Sequence, residues 1–205
     1  MNSGIAKGRN KELRVSYLWK LLREYYRMRK PLSWISSLKY ESFKHTSEPP
    51  RLRAKAAETR YLLAFAYELT QRMYAAVKSV HYSTLMECTR HLYCFYCTMG
   101  QAPFDPHFAS ESANSFLVLW KSLSDSAAAA NLQMYPVKPK HHLLAELALH
   151  QVYDAGDPSL FWCYQDEDFV GIVGRIACSK GGKRGPSTTP RNVLLKYKGL
   201  NVEYR

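Results

Sequence analysis

No uninterrupted apolar run in this sequence approaches the ~20 residues that a membrane-spanning helix requires, so no segment reads as transmembrane. The opening MNSGIAKGRN lacks the apolar stretch of a signal peptide, and the expectation is a chain that stays inside the cell. No GxxxxGK[ST] occurs, which leaves the chain without a P-loop. Strict apolar/polar alternation and internal repeats are also missing. Acids are scarce: 17 Asp and Glu face 29 Lys and Arg, for a formal net charge of +12, and no Asp precedes Asp105. The five cysteines (Cys88, Cys94, Cys97, Cys163 and Cys178) are odd in number and follow no disulfide spacing. A reducing compartment, nucleus or cytoplasm, is the expected home.

What is present is enough for a core, since 46% of the 205 residues are apolar. The basic excess is uneven. Residues 1–60 hold fifteen Lys or Arg against five Glu, so ten of the twelve net positive charges lie in the first third. Such an imbalance points to a polyanionic partner, DNA or RNA first and an acidic membrane surface second.

The periodicity predicts a mainly α, helical bundle-like domain with a basic N-terminal helix. Residues 10–30 read as a basic amphipathic helix ended by Pro31, with an irregular connector to Pro50 in which Trp34, Ile35, Leu38 and Phe43 fold back on the body. Residues 1–50 therefore read as helix plus connector, and residues 51–205 as the helical core with its tail. Helices are expected over 52–76, 81–99, 106–133, 141–153 and 166–179. Phe108, Phe116, Leu119, Trp120 and Leu123 form the expected buried stripe of the fourth. SKGGKRGPSTTP reads as a mobile basic loop, and residues 191–204 as a terminal helix or extended tail.

Several side chains are candidates for chemistry. Arg14, Arg23, Arg27, Arg29 and Lys30 on the first helix, Lys138 and Lys140 before the fifth, and Lys180, Lys183 and Arg184 in the C-terminal loop are candidate phosphate contacts. Trp19, Tyr25 and Tyr26 stand among the arginines where they could stack on bases or enter a core. Cys88, His91, Cys94 and Cys97 carry zinc-binding chemistry at the wrong spacing. Steps of three advance ~300° each on an α-helix, so these ligands drift around it, and buried thiols are the expectation. His141 and His142 at a helix start suit a ligand, a proton carrier or a plain polar residue. Asp166, Glu167 and Asp168 follow an aromatic run. The two aspartates read as helix-start residues favoured by the helix dipole, and the cluster as a candidate Mg²⁺ site.

KPKHHLLAEL, followed after a spacer by FWCYQDEDFVGIVGRIACSKGG, resembles the C-terminal part of DDE transposases of the CACTA (EnSpm) kind. The resemblance spans about residues 136–184 and rests on Lys138, Pro139, His141 or His142, Leu143, Leu144, Trp162, Tyr164, Glu167, Phe169 and Gly171. It implies that Glu167 stands where the last catalytic acid of that family stands, with Mg²⁺ as cofactor. The family's two upstream aspartates have no counterpart before Asp105, and two-metal chemistry needs carboxylates from more than one place.

Three functions fit these residues. The first is a transposase-derived, catalytically incomplete nucleic-acid-binding module whose missing acids, if any, come from a partner protein. The second is a helical protein–protein subunit of a larger ribonucleoprotein or membrane-peripheral assembly, drawing on the Tyr, Trp and Arg content. The third is a metal-dependent nuclease using Asp166, Glu167, Asp168 and a His from position 141 or 142.

Overall fold

The computed structural model describes residues 10–44, 51–52 and 54–161. The chain divides into two units, Met1–Leu160 and Phe161–Arg205, and the helices described below all belong to the first. It is mainly helical, as its periodicity predicts.

Helix α1 (Lys11–Arg29) begins where the Asn10 side chain accepts the Leu13 N–H at 2.8 Å, supplying one partner for the unpaired amides of the first turn. It ends at Lys30, which adopts the left-handed conformation (φ 45°) and donates its N–H to the Tyr26 carbonyl. Glycine usually fills that place because it has no Cβ to clash. Here Lys30 followed by Pro31 stops the helix and turns the chain back along it.

The returning connector is anchored by Ile35, which is buried, and by Leu38, which buries with Leu22 and Tyr25 of α1 and with Phe65 of α2 (Ala56–Ala76). Each large apolar side chain withdrawn from water in this way stabilises the fold by roughly 1.5–3 kcal/mol. A two-residue antiparallel pair, β1 (Phe43–Lys44) with β2 (Arg51–Leu52), closes the connector. The pairing corrects the expected start of the second helix at residue 52. Leu52 is held extended against Phe43, and α2 begins only at Ala56, where the Glu58 carboxylate accepts the Lys55 N–H at 2.8 Å.

Helix α3 (Val80–Thr98), capped by Ser79, packs on α2 and more extensively on α4 (Pro106–Ala129), which Asp105 caps by accepting the Phe108 N–H at 3.0 Å. The first half of α4 buries small side chains against its neighbours: Ala109, Ser110, Ser112 and Ala113 are all buried. The expected stripe is therefore corrected at Phe108, which is 47% exposed, whereas Phe116 and Leu123 are buried with Cys88. Helix α4 also stops earlier than residue 133. Asn131 turns left-handed (φ 54°) and the Leu132 N–H returns to the Ala127 carbonyl at 2.8 Å, satisfying the helix end.

Helix α5 (Pro139–Glu146) starts two residues before the expected position, because proline at the first helical position loses no hydrogen bond that the helix could make. The rod passes through a π turn (Leu147–Gln151) into α6 (Val152–Asp154). Buried Asp157 then ties two loops together, accepting the Gly100 N–H at 2.7 Å and the Ser159 N–H at 2.8 Å.

Candidate nucleic-acid interface

On α1, Trp19, Arg23, Tyr26 and Arg27 fall at i, i+4, i+7 and i+8, one strip of a 3.6-residue helix, and Lys30 caps the end of that helix. The turn at Lys30 lays residues 31–36 beside that strip. Between them opens a groove of about 600 Å³ lined by these five side chains with Pro31, Trp34, Ile35 and Ser36.

The connector wall is fixed by one polar contact. The Ile35 N–H donates to the Tyr26 hydroxyl oxygen at 3.2 Å. Burial pushes the Tyr26 phenol above its ordinary pKa, and the Ile35 N–H pulls weakly the other way, so the hydroxyl stays neutral at physiological pH. Trp34, expected to fold back onto the body, instead keeps 58% of its surface in solvent at the groove edge while its neighbour Ile35 is buried.

Arg23, Arg27 and Lys30 are exposed, and among the described residues none has an acid within ion-pair distance. Arg29 differs. It lies on the other side of α1 and donates to the Glu68 carboxylate of α2 at 3.0 Å. Arg14 is exposed near the start of α1 and does not line the groove. Thus three of the five expected α1 cations converge, and the tertiary fold diverts Arg29 to an ion pair.

Of the three aromatics that could stack on bases or enter a core, Tyr25 enters the core. It buries against Phe65 with ring centroids 5.5 Å apart. Trp19 and Tyr26 remain half-buried in the groove wall.

Lys138 and Lys140 lie on another element, at the start of α5, which packs on α4. His141 is taken up by structure: its Nδ1 accepts the Lys138 N–H at 3.0 Å, and its ring packs 5.2 Å from Trp120 and 6.2 Å from Phe116. His142 is exposed.

On α3 the thiol and imidazole groups do not converge. Cys88 points into the core, where its thiol donates to the Phe116 carbonyl at 3.8 Å and burial pushes its pKa up to about 12. His91 Nε2 lies 3.0 Å from the Arg90 guanidinium, and burial followed by that positive charge lowers its pKa. Cys97 is exposed. Among the described residues no three of His, Cys, Asp and Glu gather where they could hold a metal ion. Asp166, Glu167, Asp168, Lys180, Lys183 and Arg184 lie outside the described residues.

Among the described residues no helix is long and apolar enough to cross a membrane. Comparison with protein-family models, with curated proteins and with solved structures finds no match to this chain.

Proposed function

We propose that this chain is a nucleic-acid-binding module, derived from a transposase and catalytically incomplete, that holds the phosphate backbone along α1. The observation that carries the binding reading is the convergence of Arg23, Arg27 and Lys30 on one wall with no acidic partner among the described residues. Uncompensated cations a helical turn apart create a local positive potential that a phosphodiester chain neutralises, releasing counterions as it binds. The ancestry rests on the FWCYQDEDFVG resemblance, and the incompleteness on the absence of any Asp before Asp105. Asp166, Glu167 and Asp168, the residues that would hold that family's Mg²⁺, lie outside the described residues.

The test is a salt titration of binding to a labelled oligonucleotide. Affinity should fall steeply with salt, and replacing Arg23, Arg27 and Lys30 together by Gln should flatten the log–log slope by about two. Affinity indifferent both to salt and to that triple replacement overturns the reading.

A second reading, a protein-interaction subunit, draws on Leu132, Met134, Val137 and Leu143, which all stay exposed on and beside the α4–α5 connection. Val137→Ser with Leu143→Ser distinguishes it. The pair should leave nucleic-acid binding intact and abolish any association that uses this surface.

A further inference from the structure

We propose that the α1 groove takes a single strand of nucleic acid and stacks one unpaired base on Trp34, an inference that rests on the nucleic-acid reading above. A duplex offers phosphates on its outside and keeps its bases stacked within, so the positive strip alone would serve either form. The groove adds aromatic surface beside the cations: Trp19 and Tyr26 on the helix wall and Trp34 on the facing wall. Only an unstacked base can meet an indole there, and stacking tolerates any sequence because every base has a π-face.

The placement of Trp34 supports this use. It is 58% exposed, yet it is not on a loose tip, because Ile35 beside it is buried and hydrogen-bonded to Tyr26, and Leu38 is buried four residues on. An aromatic ring presented to solvent from an anchored backbone loses little further freedom when a ligand stacks on it. Along the helix axis Arg23 and Arg27 are about 6 Å apart, and Lys30 follows about 4.5 Å further on. The cations can thus follow successive phosphates of a strand running along α1 while a base turns inward. A membrane surface is the competing polyanion, since Leu32 is also exposed. The concavity favours the strand, because a bilayer face cannot enter a recess whose walls carry the cations and the rings.

The experiment uses the full chain and measures fluorescence anisotropy with labelled oligo-dT, a hairpin duplex of equal charge, and an abasic phosphodiester oligomer of equal length. Oligo-dT should bind tightest. Trp34→Ala should weaken oligo-dT binding on the order of 10- to 100-fold, leave duplex and abasic binding and the salt slope unchanged, and be largely rescued by Trp34→Phe. Undiminished oligo-dT affinity in Trp34→Ala, with binding still lost in the Arg23/Arg27/Lys30 triple variant, overturns the stacking inference and leaves the nucleic-acid reading standing. Loss in neither variant overturns both. Phosphatidylserine vesicles that outcompete oligo-dT, with a Trp34-dependent blue shift of the emission, overturn both in favour of a lipid surface.

Discussion

The Tyr26 hydroxyl oxygen accepts the Ile35 N–H at 3.2 Å, joining the last turns of α1 to the connector that runs back beside it. This bond ties one wall of the groove to the other. Tyr26→Phe keeps the ring and removes the acceptor, leaving a buried amide unpaired. The expected cost is about 1–3 kcal/mol. Urea unfolding measures it, and oligonucleotide affinity should fall in the same variant although no cation has been touched.

Lys30 combines two roles that a single substitution separates. A non-glycine residue in the left-handed region costs roughly 1–2 kcal/mol, and glycine costs roughly 0.5–1 kcal/mol in chain entropy, so Lys30→Gly should change stability by no more than about 1.5 kcal/mol, towards stabilisation. On the proposed nucleic-acid reading, one phosphate contact should disappear with the ammonium group. The thermal midpoint should hold or rise while the salt slope of binding drops by somewhat less than one unit.

Ala113 of α4 has no exposed surface. Ala113→Leu forces three further carbon atoms into a fully buried site. The expected destabilisation is about 1–3 kcal/mol or more, from overpacking. Thermal unfolding followed by circular dichroism should show it. The basic groove belongs to α1 and its connector, so binding measured well below the melting temperature should persist.

His91 gives the fold an acid sensitivity. Burial and the neighbouring Arg90 guanidinium lower its pKa from the ordinary histidine value of 6.5, so the unfolded chain takes up a proton before the folded one does. Stability from this residue is present above about pH 6.5 and is lost as the pH falls through the depressed folded value. His91→Gln should therefore flatten the decline in thermal midpoint between roughly pH 7 and pH 5. An equal decline in both proteins excludes His91 as its source.

Much of the architecture is legible in the sequence. The amphipathic run from Asn10, stretches of helix formers free of Pro and Gly, and the proline and glycine punctuation between them locate four helices to within a few residues, because breakers act through neighbours along the chain. The misplaced boundaries have tertiary or cap-level causes. Leu52 carries a helix-compatible side chain, but its pairing with Phe43 across the connector draws it into an extended strand. The alanine run of α4 has no propensity reason to stop at Ala129, yet Asn131 accepts the left-handed turn that closes it.

The candidate site divides along the same line. Helical spacing puts Trp19, Arg23, Tyr26 and Arg27 on one side of α1, whereas Lys30 joins them through the left-handed turn that ends the helix. The sequence by itself also determines the charge of the first third and the absence of an aspartate before Asp105. Only the tertiary structure decides that Arg29 turns to Glu68, that Tyr25 enters the core against Phe65, and that Trp34 stands in solvent as the second wall. Those outcomes depend on residues 9 to 40 positions away along the chain, namely Ile35 from Tyr26, Glu68 from Arg29 and Phe65 from Tyr25. Local propensity carries no information about partners at that distance, because packing against a second helix and its connector is settled by which apolar surfaces leave water together.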